Sequence, residues 1–216
     1  MTWLRNKHRD YDPVWHVELI VAVAIVLHVA LPDRFVLGVR WLFPALEMLL
    51  ALALAATTPA QKVFTSLKRR VTVVLLVAAL GVGNAYALTQ IARLLLQSGR
   101  INNGRELILT GINIYLTNII IFALLYWEMD GGGPGNRRAA KDAERDFLFP
   151  QSSIIALGNW HPTSVDYLYV SGTNAMAFSP TDTMPLSRRA KMLMFLQATI
   201  SLIVVALVAA RAVNIL

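Results

Sequence analysis

The sequence predicts an all-α, polytopic membrane protein with about five transmembrane helices and one re-entrant or interfacial helix before the last. Three observations predict this fold. Hydrophobic residues make up 56% of the chain and charged residues only 15%, whereas soluble domains average about 25% charged residues. The mean hydropathy is +0.54. The basic residues stand in groups between apolar runs, a pattern typical of cytoplasmic loops in membrane proteins.

Five apolar segments account for the predicted transmembrane helices, each of which needs about 20 apolar residues. The first segment ends at a tight turn, Pro32-Asp33-Arg34, and no cleavage site of small residues follows it. We therefore interpret it as a retained signal anchor. The segments cover about residues 14–31, 35–56, 71–96, 106–127 and 193–215.

The chain divides into three regions. Residues 1–129 form a four-helix transmembrane region, and residues 130–150 form a flexible charged linker. Residues 151–216 contain a pore-loop-like segment and the last transmembrane helix. The linker is predicted to be flexible because Asp130 opens a run of glycines, which admit nearly any backbone angle.

The distribution of basic residues predicts orientation and location. With the N-terminus inside, the basic loop 57–70 and the linker 130–150 both lie inside, as the positive-inside rule requires. We therefore predict an integral, multi-pass protein of the cell membrane (plasma or inner membrane), with an external C-terminus and membrane lipids as partners. No basic region is interleaved with aromatic residues, so we expect no nucleic-acid partner.

Catalytic and metal-binding motifs are absent. The sequence lacks Gly-x-Ser-x-Gly, His-Glu-x-x-His and a phosphate-binding Walker loop. The chain has no cysteine, and the first span's His16, Glu18 and His28 do not have a metal-ligand spacing on one helix face. We expect no enzyme activity, no cofactor and no metal.

Glu47 is the clearest buried charge, because it lies roughly in the middle of the second apolar segment. Ionisable groups inside a membrane are costly and often functional, so one interpretation is a cation or proton site. The favoured alternative is an ion pair with Arg40, Arg93 or Arg211, or a neutral acid that is hydrogen-bonded to a neighbour, because no second acid lies at mid-depth to form a relay.

Polar residues also mark the third and fourth segments. Asn113 and Thr117 are four residues apart and therefore share a helix face. Such residues commonly hydrogen-bond one helix to another, which is the favoured interpretation. A water-lined path is the alternative.

The stretch from Asp166 to Pro185, with Arg188 and the last helix, resembles the pore-loop and inner-helix module of the two-helix potassium channel superfamily. It is similar as well to the C-terminal part of bacterial multi-pass membrane proteins of a domain-of-unknown-function type. In the channels the pore helix ends in Thr-Val-Gly-Tyr-Gly-Asp and a proline follows. Here residues 177–182 read Ala-Phe-Ser-Pro-Thr-Asp, so the aspartate and Pro185 match and neither filter glycine does.

A potassium filter of the known kind is not expected from these residues. The filter is a row of backbone carbonyls, and its glycines adopt angles that other residues find strained. Ser179 and Thr181 would resist those angles, and Pro180 fixes its own φ and restricts Ser179. The charge-based topology also places this loop on the inside, whereas the channel loop enters from outside.

Two functions remain open. The first is a channel-like homo-oligomer with a degenerate, non-potassium-selective pore loop and Glu47 as the buried charge. The residues that would line or shape the loop are Thr173, Asn174, Ser179, Thr181 and Asp182. The second is a structural or accessory membrane subunit whose basic loops bind a partner or anionic lipid. Residues 165–176 would then be an interfacial helix, and residues 179–182 would cap the last helix. The sequence names no ion or small-molecule substrate.

Overall fold

A computed structural model describes residues 14–57, 67–96, 104–134, 136–137, 145–154, 160–177 and 182–213. These ranges are mostly helical, so the all-α prediction is confirmed. The helices are α1 (Val14–Val29), α2 (Leu42–Thr57), α3 (Leu67–Leu96), α4 (Gly104–Met129), α5 (Ser164–Ala177) and α6 (Arg188–Val213). Two short strands, β1 (Phe147–Leu148) and β2 (Met184–Pro185), pair antiparallel.

Three helical stretches within the described ranges are long and apolar enough to cross a membrane. They are Arg70–Leu94, Gly104–Gly132 and Arg188–Arg211, in α3, α4 and α6. The apolar parts of α1 and α2 are shorter, at Trp15–Val29 and Leu42–Leu52. The first two predicted spans are therefore shorter in the structure than the sequence pattern suggests.

The turn between α1 and α2 explains this difference. A proline cannot continue the hydrogen-bond ladder of a helix, and α1 ends at Val29, shortly before Pro32. A 3-10 turn, Asp33–Phe35, follows, and α2 begins only at Leu42. Phe35 is fully buried in an apolar cluster with Ile91 of α3 and Leu107 of α4. Part of the predicted second span thus closes one end of the helix bundle.

Helix α4 is the centre of the bundle, because it packs against α1, α3, α5 and α6. In its most apolar stretch 72% of the residues are buried inside the chain, compared with 22% in α6. Gly111 of α4 makes a close approach to α6 possible: a β-carbon there would lie 2.3 Å from Cγ2 of Val208. Helix α6 presents most of its apolar surface outwards.

The bundle has two ends with different charge arrangements. We call the end at which α3 and α6 begin and α4 finishes the basic end. There Arg70 lies 3.8 Å from Glu128, and Arg189 lies 3.3 Å from Asp146. The basic end also exposes Arg188 and Lys191. The opposite end holds the Asp33–Phe35 turn, the end of α3 and the start of α4. It exposes Arg34, Arg40, Arg93 and Arg105; Arg34 lies 2.7 Å from Glu106, and Arg40 contacts Asp33.

The predicted linker 130–150 contains buried, hydrogen-bonded parts. Asp130–Gly132 forms a 3-10 turn that continues α4, and Asp130, Gly131, Arg137 and Asp146 are all buried. Gly131, Gly132 and Gly133 have positive φ angles, which glycine adopts readily. The glycine run therefore makes a tight turn possible at the end of α4. The alternating charges from Arg137 to Asp146 predict a short surface helix, most of which lies outside the described residues.

Gly111→Ala is expected to lower the free energy of unfolding of the purified protein by about 1–3 kcal/mol. The new methyl group would collide with the stiff side chain of Val208. Gly81→Ala is the matched control, since a β-carbon at Gly81 meets nothing within 4 Å. Adding Val208→Ala should restore the stability of the Gly111 variant. Equal stability of the two single variants would contradict the close packing of α4 on α6.

Candidate functional site

The start of α5 is fixed by a capping interaction between two residues. The carboxylate Oδ2 of Asp166 accepts hydrogen bonds from the backbone N–H (2.7 Å) and the hydroxyl (2.8 Å) of Thr163. The Thr163 carbonyl in turn accepts from the backbone N–H of Asp166 at 3.0 Å. The bond from the Thr163 N–H to the Asp166 carboxylate is one half of a capping box, with an aspartate in the place of the usual glutamate. The Thr163 hydroxyl donates to the same carboxylate and does not accept from the Asp166 N–H. This cap makes α5 begin at Ser164, beside the basic end.

Asp130 is a buried acceptor that joins three segments at the basic end. Its Oδ1 accepts from the backbone N–H groups of Asp146 (2.7 Å) and Phe147 (3.1 Å), so it holds β1 against the end of α4. Its Oδ2 accepts from the hydroxyl of Tyr167 on α5. Asp130 is 1% exposed, and a carboxylate at such depth needs these donors to offset its desolvation.

Arg137 provides the positive charge that matches Asp130. Its Nε lies 3.6 Å from Oδ2 of Asp130, and its guanidinium donates to the carbonyls of Trp127 and Pro162. The guanidinium carbon also lies 4.7 Å from the centre of the Tyr167 ring, a cation–π contact. Arg137 therefore links the end of α4 to the segment that leads into α5.

Burial raises the pKa of Tyr167 well above its usual value, and the charge and hydrogen bond of Asp130 act in the same direction. The Arg137 charge opposes them. The phenol therefore stays protonated and continues to donate to Asp130 across the physiological pH range.

An aromatic layer fills the space between β1, α4 and α5. The Phe147 ring lies 5.2 Å from Tyr126 and 6.1 Å from Tyr167, and Phe149 lies 5.3 Å from Tyr167. The sequence favours membrane-interface contacts for residues 147–150 and for Tyr167. The structure instead buries Phe147, Phe149 and Tyr167 inside the chain, whereas Tyr169 is exposed.

Deeper in the bundle, the Gln197 amide joins α4, α5 and α6. Its Oε1 accepts from the Tyr126 hydroxyl (2.6 Å) and from Nδ2 of Asn174 (2.9 Å). Its Nε2 donates to the carbonyl (2.9 Å) and the hydroxyl (2.7 Å) of Ser171. All four side chains are almost completely buried, and the amide of Gln197 satisfies both its donor and its acceptor capacity here.

These contacts give the direction of α5. Tyr167 meets Asp130 at the end of α4, whereas the Ser171 hydroxyl donates to the carbonyl of Ile119 at 2.6 Å. Ile119 lies eleven residues before Asp130, or about 16 Å along the axis of α4. Helix α5 therefore runs from the basic end into the bundle, antiparallel to α4. By Met184, which pairs with Leu148, the chain is back at the basic end.

The predicted pore-loop residues fall in different environments. The Thr173 hydroxyl donates to carbonyls of its own helix, at Tyr169 (2.9 Å) and Val170 (3.1 Å). Asn174 is buried and donates to the Met194 carbonyl at 3.0 Å in addition to Gln197. Asp182 is exposed. Ser179 and Thr181 lie outside the described residues.

Glu47 is fully buried, and its partner is a neighbouring histidine and not the suggested Arg40. Its Oε1 lies 2.8 Å from Nδ1 of His28 on α1, whereas Arg40 contacts Asp33. Among the described residues, groups of three or more His, Cys, Asp or Glu side chains that could hold a metal ion are absent.

The interpretation of the polar residues of α4 as links between helices is supported at two positions. Nδ2 of Asn113 donates to the Leu27 carbonyl of α1 at 2.7 Å. The neighbouring Asn118 donates to the Ser201 hydroxyl of α6 at 3.1 Å. The Thr117 hydroxyl is buried without a hydrogen-bond partner.

Sequence reasoning missed Asp130, Gln197 and Ser171 as members of polar networks. The sequence pattern assigns Asp130 to a flexible linker, although an acid directly after an apolar helix and next to glycines is a candidate for a tight turn. Gln197 stands four residues before Ser201 in an otherwise apolar helix. That spacing places both on one face and was an available signal that this face meets other polar groups.

Gln197→Leu is expected to lower the stability of the purified protein by at least about 3 kcal/mol, because it leaves buried groups of Tyr126, Asn174 and Ser171 without their partner. Thr199→Val is the control on the same helix, since the Thr199 hydroxyl donates only to Phe195 of its own helix. Its effect should stay within about 0.5 kcal/mol. Chemical denaturation in detergent measures both, and equal losses would contradict the role of Gln197.

Tyr167→Phe is expected to cost about 1.5–3 kcal/mol at neutral pH, because Asp130 loses a charge-assisted hydrogen bond. The folded phenol has a raised pKa, so unfolding releases a proton at high pH. The contribution of Tyr167 is therefore complete below about pH 10 and decreases as the pH rises towards the folded pKa. The stability difference between the wild type and the variant should shrink above pH 10. A difference that is constant or grows there would contradict the buried, neutral phenol.

No protein-family model matches this sequence, and neither a curated protein nor a solved structure matches the chain. The site described above is therefore interpreted from its own residues and geometry.

Proposed function

We propose that the chain is a polytopic, channel-like protein of the cell membrane, in which α5 and residues 178–182 form a re-entrant loop of a degenerate, non-potassium-selective pore. Helices α3, α4 and α6 are the full-length spans, and the shorter α1 and α2 form a hairpin that completes five crossings. The basic loop 57–70, which leads into α3, favours the basic end as the cytoplasmic side.

The observation that carries this proposal is the course of α5. The helix enters the bundle at the basic end and reaches the middle of α4, and the chain returns to the same end at β2. A helix of 14 residues is about 21 Å long, compared with about 30 Å for the hydrocarbon core of a membrane. Helix α5 is therefore the length of a half-span, not of a full span.

The end of such a half-helix has chemical consequences. The last carbonyl groups of a helix lack partners within the helix, and its C-terminus carries a partial negative charge. At membrane depth these groups are tolerated only where protein or a water-filled cavity satisfies them. A half-helix that ends at Ala177 would thus favour water and cations near its C-terminus.

In this proposal the pore is formed between copies of the chain. The polar inner face of α5, at Ser171 and Asn174, is occupied by contacts with α4 and α6 of the same chain. Its outer face is apolar and exposed at Val165, Tyr169 and Met176. Ser179, Thr181 and Asp182 of several copies would therefore supply the polar lining. Thr173 and Asn174 would shape the loop from the helix side.

A second function has its own supporting observation. The basic end exposes Arg70, Arg188, Arg189 and Lys191, and basic groups at a membrane surface attract anionic lipids. A structural or accessory subunit that binds such lipid or an acidic partner would use this surface, with α5 serving only as a packing element. Such a subunit would conduct no ions.

Ion flux into liposomes that contain the purified protein tests the proposal. Asp182→Asn is expected to change the ratio of cation to anion flux, because Asp182 is an exposed carboxylate of the proposed loop. Asp33→Asn makes the same chemical change at the opposite end and should leave that ratio unchanged.

Cysteine modification gives a second readout, since the chain has no cysteine of its own. In Ala177→Cys, the single cysteine should react with a membrane-impermeant thiol reagent. This modification should lower the ion flux into the liposomes. Two results together would support the accessory-subunit function instead. Liposomes with the wild-type protein would show no flux, and the cysteine of Ala177→Cys would react only with membrane-permeant reagents.

A further inference from the structure

His28 and Glu47 form a buried pair of ionisable side chains near the opposite end, away from α5. His28 is 4% exposed and Glu47 is 0% exposed, and Nδ1 of His28 lies 2.8 Å from Oε1 of Glu47. The two residues lie on the two arms of the α1–α2 hairpin. Glu47 stands five residues after the start of α2, or about one and a half turns into it.

Among the described residues, no other charged side chain contacts the pair. In the described part of the chain, neither His28 nor Glu47 has another hydrogen-bond or ion-pair partner. On α3, Gly83 packs against the imidazole so closely that a β-carbon there would lie 2.7 Å from Cε1. On α2, the Phe43 ring lies 6.2 Å from the imidazole.

The charged and polar groups of the neighbouring described elements do not hydrogen-bond to the pair. Helix α4 contributes Asn113, whose amide donates to the Leu27 carbonyl. The nearest turn and helix ends carry four arginines: Arg34 pairs with Glu106, Arg40 pairs with Asp33, and Arg93 and Arg105 are exposed. The net charge of the His28–Glu47 pair is therefore set by its own protons.

We propose that His28 and Glu47 form an intramembrane proton-binding site that holds one exchangeable proton between the two side chains. With Glu47 ionised and His28 neutral, the pair carries one negative charge. One proton from water makes the pair neutral. The proton binds either to the imidazole, which gives an ion pair, or to the carboxylate, which gives a neutral acid. A second proton would make it positive. An uncompensated charge is costly in an apolar interior, so the state with one bound proton is favoured.

The outer atoms of the pair favour exchange over a locked structural ion pair. Nε2 of His28 and Oε2 of Glu47 are both buried and have no hydrogen-bond partner. Each protonation state therefore leaves a polar atom unpaired, at a cost of about 1–3 kcal/mol, and no state is held by a complete set of hydrogen bonds. A proton can thus load and leave without breaking a larger network.

The ligand of this site is a proton and not a metal ion. A zinc site needs at least three protein ligands, and only two such groups meet here. Within the described ranges, no group of three or more His, Cys, Asp or Glu residues is placed to hold a metal. The site is independent of the pore loop, because it lies between α1, α2 and α3.

Two spectroscopic signals test the site on the full-length protein in lipid nanodiscs at pH 7. Nitrogen NMR of ¹⁵N-labelled histidine reports the imidazolium fraction of His28, which is assigned by loss of its signal in His28→Asn. Infrared spectroscopy reports the protonated carboxyl fraction of Glu47, as the band lost in Glu47→Gln. The proposal predicts that the two fractions add up to one proton per chain, and that both change together as the pH is varied.

The controls separate this site from a general effect on the fold. Glu106→Gln removes a carboxyl group at the same end and should leave both signals unchanged. If Glu47→Gln does not fold, His28→Gln replaces it, and the infrared band of Glu47 is the readout. The pH dependence of that band must then differ from its pH dependence in the wild type. Fractions that add up to zero or to two protons would overturn the proposal. So would a His28 signal that titrates identically in the wild type and in Glu47→Gln.

Discussion

The buried carboxylate of Asp130 is the interaction on which the arrangement of the basic end depends. It lies at the point where α4 stops, and its two oxygens hold the backbone of β1 and the hydroxyl of Tyr167 on α5. Arg137 balances its charge within the same buried space. Removing one member of a buried charged pair typically costs about 3–5 kcal/mol, because the other charge is left uncompensated. Helix α5 therefore keeps its starting position only while this network is intact.

From that fixed start, a second buried network determines where α5 goes. The Gln197 amide and the Ser171 hydroxyl bind α5 to α6 and to the middle of α4, so the helix points into the bundle and not along its surface. Apolar packing alone would permit α5 to slide or rotate, whereas buried hydrogen bonds are satisfied in one register. The same geometry places the end of α5 away from both ends of the bundle, which is the reason to interpret it as a re-entrant element.

The sequence predicted the helices well and their polar contacts poorly. Long apolar runs located α3, α4 and α6, because these signals are local. The predicted re-entrant or interfacial helix at residues 165–176 corresponds to α5. The start of α2 was misplaced because residues 35–41 are as apolar as a span but close the end of the bundle around Phe35. The partner of Glu47 was missed because His28 meets it only across the hairpin, at a sequence distance that helix periodicity does not report. Asp130 shows the same limit, since its partners come from β1 and α5.

The most direct test of the account is the depth of α5 in a lipid bilayer. Nitroxide labels on single cysteines at Val165 and Met176, which are exposed on one face of α5, report depth through their collision rates with oxygen and with a water-soluble nickel complex. Eleven residues separate these positions, or about 16 Å along a helix. The account predicts an interfacial label at Val165 and a label at Met176 as deep as one at Phe195 of α6. Equal, shallow depths at Val165 and Met176 would mean that α5 lies along the membrane surface and would contradict the re-entrant arrangement.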